Sequence, residues 1–479
     1  FGLEQLASSG EAEVLRRQHA EFFLAMAESA EPELTGPEPG LWLDRLEREH
    51  DNLRAALAWS MESGELQMGL RLGGALQEFW WIRGYHSEGR DHLLRLLRQT
   101  GVEAPTAARA KALCGAGRFA WSQEDLEAAR ALHEESLAIR RSLEDRADIA
   151  ASLLYLGSVL HYQGDLVAAR SLVEESLRIR RELGVHGGVA HSLLTLGWIA
   201  SGQNDLTAAR DLITESLAIW RQLDDPGGIA YALDSLGCMA LFQGELGTAR
   251  SLFEDTVAAA RAIGDKVHVA WGITHLGWVA QRREEHAAAR ALYEQSLPIW
   301  RELGYKQGLI DTLHGLGWTA RLQGDHSAAQ TFFAEILAIR RKQGDNERIA
   351  WSLFHLSETA GDLGDWAQAT ALLRESLILF RQRDPSNQFG TVGCLEGLAR
   401  VAGAQEHPAR AARLLGAAGA LREANNISGA PAVRTGYDQT LSAGRAQLDE
   451  AVFEAAWAEG RAMLIEQAIE FALEGTVNA

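Results

Sequence analysis

The stretch Ser152-Leu153-Leu154-Tyr155-Leu156-Gly157-Ser158-Val159-Leu160-His161-Tyr162-Gln163-Gly164-Asp165 decides the fold, because it recurs. Forty residues on, the chain reads Ser192-Leu193-Leu194-Thr195-Leu196-Gly197-Trp198, with Asn204-Asp205 after it. The same unit returns around Gly237, Gly277 and Gly317; Gly117 opens the series, Gly397 closes it, and Ser357 takes the glycine's place once. A fixed period of this kind is the mark of a solenoid, in which each helical pair buries its apolar face only against its neighbours.

Each unit reads as a helix, a Gly-Asp type turn, a second helix and a short loop. Glycine suits a helix C-terminus and aspartate caps the helix that follows. Clear units span 107–147 and then, in steps of forty, 148–387. A degenerate one covers Gly69–Leu97, and a last one from 388 to 425 slips by three residues near Pro408. Second helices share Glu175-Ser176-Leu177, Glu215-Ser216-Leu217 and Glu375-Ser376-Leu377, and a ladder from Arg141 and Arg181 to Arg381 near their ends. Cations at helix C-termini account for that ladder at about 0.3–1 kcal/mol each; a surface for an anionic partner is the alternative. Pro298, inside one second helix, predicts a kink.

Outside the register, apolar spacing predicts a helix over 11–29 and another over 41–61. Helices are also expected at 434–448 and 450–473, after a Ser428-Gly429-Ala430-Pro431 loop. The organisation expected is therefore a helical lead-in (1–66), a solenoid (67–425) and a C-terminal helical cap (426–479). The chain opens at Phe1-Gly2-Leu3-Glu4-Gln5-Leu6, which reads as helix interior and suggests a piece of a longer protein.

Composition narrows the partners. The 479 residues carry a net charge of −19, and no Lys/Arg run exceeds three, so a phosphate backbone is not an expected ligand. Cys114, Cys238 and Cys394 are far apart with no CxxC, as in buried thiols of a reducing cytosol. No signal peptide or bilayer-length apolar run occurs, so a cytoplasmic location without membrane contact is expected. There is no G-x-S-x-G, no GxxxxGK[ST], no HExxH and no local Cys/His cluster. No catalytic residue, metal site or cofactor is expected on that basis. The one metal pairing worth weighing is His314 with His355, or His275 with His314, across adjacent repeats.

The L-x2-LG-x2-L of Leu153–Leu160, with Ala169, resembles the tetratricopeptide consensus, and the forty-residue period implies longer helices than that family's usual unit. The resemblance implies an all-α, right-handed superhelical solenoid. Counting Gly157 as position 8, the leucine stripe packs the pair, and the glycine admits close approach of the partner helix. A second stripe of the first helix would line the concave groove in that family. Here it holds His191, Trp198, Tyr231, Asp234, Trp271, Trp278, His314, Trp318 and Trp351. Such rings suit stacking on a peptide, a sugar or a partner helix. They suit equally well packing between neighbouring first helices, or holding an internal segment of a parent protein.

A narrower resemblance lies at the ends. Trp42-Leu43-Asp44-Arg45-Leu46-Glu47, followed by Glu49-His50-Asp51-Asn52-Leu53-Arg54-Ala55-Ala56-Leu57, resembles the segment between ATPase core and repeats in bacterial STAND-class signalling ATPases. Some of these are LuxR-type, maltose-regulator-like transcriptional regulators. Ala411–Ala418 and Ala455–Arg461 are similar to the end of the same arm. The resemblance implies a non-catalytic sensor arm that recognises a protein, peptide or small-molecule inducer in its groove. It also implies autoinhibition through the parent's own ATPase core, and oligomerisation on activation. A free-standing scaffold or peptide-responsive regulator is the alternative, and an enzyme is a third.

Overall fold

The computed structural model describes residues 12–35, 39–99, 104–382, 388–425, 427 and 431–474. The helical reading of Phe1–Leu6 and the loop at 428–430 fall outside them. Every regular element among the described residues is helical. The lead-in is α1 (Ala12–Ala30), a short 3-10 turn, α2 (Pro39–Arg48) and α3 (His50–Glu62). The single helix expected over 41–61 is thus two, broken at Glu49, where φ −97° and ψ 7° leave the helical well. The degenerate unit is α4 (Leu66–Ala75), α5 (Gln77–Arg83) and α6 (His86–Leu97), its first helix interrupted at Leu76.

Regular pairs follow: α7 (Ala107–Ser122) with α8 (Leu126–Ser142), α9 (Arg146–Tyr162) with α10 (Leu166–Leu183), and α11 (His186–Gly202) with α12 (Leu206–Gln222). Next come α13 (Pro226–Phe242) with α14 (Leu246–Ile263), α15 (Lys266–Arg282) with α16 (His286–Leu303), and α17 (Lys306–Leu322) with α18 (His326–Gln343). The last pairs are α19 (Asn346–Asp362) with α20 (Trp366–Arg381), and α21 (Phe389–Ala404) with α22 (Pro408–Ala424). The chain ends in α23 (Pro431–Gln447), α24 (Glu450–Arg461) and α25 (Ile465–Leu473), so the helix expected over 450–473 is also two. α16 runs unbroken across Pro298. Two compact units divide the chain, one ending at Thr312 and the other beginning at Leu313.

Turn chemistry sets the helix boundaries. Asp165 Oδ1 accepts from the Ala168 amide at 3.0 Å, and Asp205 does the same for Ala208. Each such cap is worth about 1 kcal/mol. Gly164 before the cap has φ +88°, and Asn204 holds the same place in the next unit at φ +64°. The glycine of the leucine stripe makes room for the residue sixteen positions on. A Cβ at Gly157 would meet Val173 Cγ2 at 2.5 Å and the Ala169 carbonyl at 3.2 Å. Ile213, Phe253, Tyr293 and Phe333 fill the same socket against Gly197, Gly237, Gly277 and Gly317.

Two further constants hold the pairs together. The serine of Glu-Ser-Leu is buried, and its hydroxyl donates to a first-helix carbonyl: Ser176 to Ala150 at 2.7 Å, Ser216 to Ala190 at 2.8 Å, Ser376 to Ala350 at 2.8 Å. The second is a size exchange. Trp220 and Trp300 press on Gly228 and Gly308, where a Cβ would come within 2.2 and 2.4 Å of the indoles. Where the second helix has the small Ala260 instead, the residue eight on is His268. Outside this core, the glutamates pair with arginines a turn before them, as Arg130–Glu134 at 2.8 Å and Arg250–Glu254 at 2.9 Å. From the ladder, Arg181 and Arg341 reach Glu215 and Glu375 of the next second helix. These are exposed pairs worth a few tenths of a kcal/mol.

His133 occupies the socket against Gly117 that phenylalanine fills in later units. It is 1% exposed, and among the described residues its Nδ1 has no hydrogen-bond partner. Burial, aided by the Arg118 and Arg140 guanidiniums, lowers its pKa to about 3. The unfolded chain therefore binds this proton below about pH 6.5 and the native chain does not, so stability falls as pH drops through that window. Between pH 7 and pH 5 the native protein is expected to lose about 2 kcal/mol more than His133→Phe. Urea midpoints at the two pH values measure it, and equal losses would rule it out.

Candidate binding lumen

Within the unit ending at Thr312, alternate helices touch one another, so the second stripe of each first helix faces a shared concavity. Glu78 on α5 interacts electrostatically with Arg118 on α7, His191 on α11 and Asp265 ahead of α15. Charges this distant in sequence feel one another because the solenoid turns back on itself. The seam is visible at Gly84, where a Cβ would lie 1.9 Å from Leu303 Cδ2, and at Gly304, whose Cβ would lie 3.3 Å from Ser87 Oγ. An aromatic floor backs that seam. Trp81 stacks on Trp121 at 6.2 Å and meets Tyr305 edge-on at 6.3 Å. Tyr305 in turn touches Trp271 at 6.0 Å and Trp300 at 5.4 Å.

Above the floor the wall is polar. Arg118 pairs with Glu78, and its guanidinium lies over Trp81 at 4.7 Å and Tyr155 at 5.3 Å. Burial works against ionisation of Glu78, but the Arg118 charge outweighs it and holds the carboxyl below its usual range. Tyr155 and Tyr231 are half-buried and Tyr162 is half-exposed. Burial pushes the Tyr231 phenol up to about 12, so it remains a hydrogen-bond donor at neutral pH. His191 is open to water, yet the surrounding wall, with Arg180, holds it below its ordinary value. Side chains that touch water while ringed by protein describe a narrow lumen, where a ligand would be enclosed on several sides.

Six of the nine residues read from sequence lie in the unit ending at Thr312 and three in the unit beginning at Leu313. His191 meets Trp220 edge-on at 4.8 Å and keeps its free edge in the lumen. Trp198 is half-buried, its indole N–H donating to Ser235 Oγ on the next first helix at 3.1 Å. Tyr231 leans on His268 at 5.4 Å. Trp271 and Trp278 flank His275 at 5.1 and 4.7 Å, each half-buried. Asp234 lies behind this surface, 6% exposed, bonded to His275 Nδ1 at 2.7 Å. In the unit beginning at Leu313, His314 accepts from the Trp318 indole at 3.2 Å and meets His355 at 5.2 Å. Burial, aided by His355, lowers His314 to about 3. Trp351 packs against Phe380 at 5.0 Å and Phe389 at 5.6 Å. Each tryptophan thus commits part of its ring to a neighbour and leaves the rest open.

Glu78, Arg118, Tyr155 and Tyr305 escaped the sequence reading. Arg118 follows Gly117 as Trp198 follows Gly197, so the register alone would have found it. Tyr305 precedes its helix and enters the wall only through the turn of the solenoid. The same turn does not explain Cys238, which lies 3.9 Å from His275 Nδ1 beside Asp234.

Residues 106–182, 148–222 and 268–342 match the tetratricopeptide repeat family. Over these residues the repeats are tetratricopeptide repeats. A protein of Mycobacterium tuberculosis described as an HTH-type transcriptional regulator is 33% identical over 164 residues, covering 33% of this chain and 18% of that protein. The chain therefore spans less than a fifth of the length of that curated relative. A Rap protein solved with Competence and Sporulation Factor shares the fold at a TM-score of 0.52 and 14% identity, covering 78% of this chain and 98% of that one. A STAND protein with a tetratricopeptide sensor from Pyrococcus horikoshii aligns at a TM-score of 0.45 and 15% identity, covering 71% of this chain and 52% of that one. Tetratricopeptide repeats form a protein-interaction module. Among the described residues, no helix is long and apolar enough to cross a membrane.

Proposed function

We propose that this chain is the sensor arm of a larger STAND-type regulator and that the lumen of the unit ending at Thr312 receives its inducer, a peptide or small molecule. The observation that carries this is the break in the repeat. The socket recurs in each unit from Gly117 to Gly317, and the serine and cap in most, while the residue after the stripe glycine changes from Arg118 to Ser158, Trp198, Cys238 and Trp278. Packing needs the constants; recognition needs the variables. The Glu78–Arg118 pair, three phenols and open indole faces supply hydrogen bonds and stacking for an extended chain with mixed charge. The mycobacterial relative, described as a transcriptional regulator and several times longer than the matched segment, supports the reading of an arm. The Rap protein, solved with a bound factor on a shared fold, supports a peptide as occupant. Occupancy would loosen contacts that hold a parent's ATPase core inactive.

Peptides selected from a random display library on the folded chain are the probe. Replacing Tyr155, His191 and Tyr231 together by alanine is expected to weaken the selected peptides by more than about tenfold, or 1.4 kcal/mol. Replacing Val167, 79% exposed on α10, should leave them unchanged. Binding that survives the triple change in a protein with native circular dichroism would place recognition elsewhere.

A further inference from the structure

One cluster in the wall is used neither by the packing constants nor by the lumen surface. Asp234 and Cys238 stand one helical turn apart on α13, and His275 faces them from α15. The imidazole Nδ1 lies 2.7 Å from Asp234 Oδ1, and the thiol lies 3.9 and 4.0 Å from the two ring nitrogens. All three donors fall within 4.8 Å of one another, and among the described residues no other His/Cys/Asp/Glu group meets that condition. The three side chains are 6%, 2% and 4% exposed.

The repeat itself shows how unusual the cluster is. At the place of Asp234 other units have Leu154, Leu194 and Thr274; at that of Cys238 they have Ser158, Trp198 and Trp278; at that of His275 they have Tyr155, Thr195 and Ser235. Only this junction changes all three to metal-ligating types at once. The wall around it is aromatic, with Phe253 at 4.9 Å and Trp271 at 5.1 Å from the imidazole. A carboxylate, a thiol and an imidazole are costly to enclose there unless something draws them together. The other two thiols lack this company: Cys394 donates to Ser376 at 3.3 Å, and Cys114 belongs to no such group.

We propose that Asp234, Cys238 and His275 form a binding site for a zinc-class divalent metal, held between two adjacent first helices just behind the lumen. One sulfur, one nitrogen and one oxygen donor suit an ion of borderline softness, and three protein ligands leave a fourth tetrahedral position for water or a ligand donor. Binding replaces the Asp234–His275 hydrogen bond with two metal bonds and releases two protons to solvent, the one that Asp234 holds on His275 Nδ1 and the one on the Cys238 thiol, so that the imidazole binds neutral and the sulfur as thiolate. The site would brace α13 against α15 and so stiffen the wall that carries Trp271 and Trp278. The proposal is independent of the sensor reading, since it concerns the metal alone.

The test uses the full chain, reduced and stripped with chelator, titrated with cobalt(II) as a spectroscopic stand-in for zinc. The expected result is about one cobalt ion per chain, with tetrahedral visible bands and a thiolate-to-cobalt charge-transfer absorption. Cys238→Ser, a residue the repeat already carries at position 158, should fold and lose the charge-transfer band. Asp234→Asn and His275→Gln should weaken cobalt binding by more than about tenfold. Cys114→Ser and Cys394→Ser should change neither. Absence of the thiolate band in the folded native chain, or its survival in Cys238→Ser, overturns the site.

Discussion

Replacing Trp300 with alanine is expected to destabilise the unit ending at Thr312 by about 3–5 kcal/mol. The indole is fully buried, and its N–H donates to Thr274 Oγ1 at 3.1 Å. It fills the space left by Gly308 and meets Trp271 edge-on at 4.9 Å. Truncation opens a cavity ringed by Gly308, Trp271 and Tyr305, and none of these can swing in to fill it. The loss should not stay local. Trp300 backs Tyr305, and Tyr305 is the contact that Trp81 makes across the seam. Hydrogen exchange over residues 77–86 should therefore accelerate in Trp300→Ala, although those residues lie far away in sequence. Trp300→Phe, which keeps an aromatic ring, should recover much of both effects. A loss below about 1 kcal/mol, or unchanged exchange at the seam, would refute the account of how the turn is closed.

The second large effect belongs to the other unit. An alanine at Gly460 in α24 would put its Cβ 2.0 Å from the Arg413 carbonyl oxygen and 2.9 Å from the Arg413 Cα on α22. Gly416 answers it, with a Cβ there 2.4 Å from the Trp457 carbonyl. Both obstacles are backbone, so no rotamer relieves them and the helices must part. Inside an ordinary helix, Gly→Ala gains about 1 kcal/mol. Here we expect a loss of about 3 kcal/mol, with cleavage by protease between α22 and α24. The sign alone decides the matter: a stabilised Gly460→Ala would mean that the two backbones do not touch.

How much of this was legible beforehand depends on the range of the interaction. The solenoid, its turns and the purpose of the stripe glycine follow from residues a few to forty positions apart, and the structure bears them out. The break at Glu49 has no proline or glycine to mark it, so apolar spacing reads straight through it. Pro298 lies inside α16, which continues through it from His286 to Leu303 as one helix. On the tryptophans the sequence left both packing and binding open, the bound group being a ligand or an internal segment of a parent protein. The half-buried indoles answer to both, since a ring wedged between neighbouring helices still presents an edge or a face to the concavity.

By itself the sequence determined the repeating unit: helix pairs of fixed register, capped by Asp165 and its counterparts, locked by socket and serine. These are nearest-neighbour terms, so a single forty-residue period contains them. Only the tertiary structure decided what meets across the turn. The small rotation between successive units accumulates until Gly84 reaches Leu303 and Glu78 reaches the field of His191 and Asp265. That sum depends on every interface along the way, so no local pattern announces it. The Asp234–Cys238–His275 cluster stands between the two cases. Its residues lie on neighbouring units, within reach of the register, but only the helix crossing showed that the three donors point at one another.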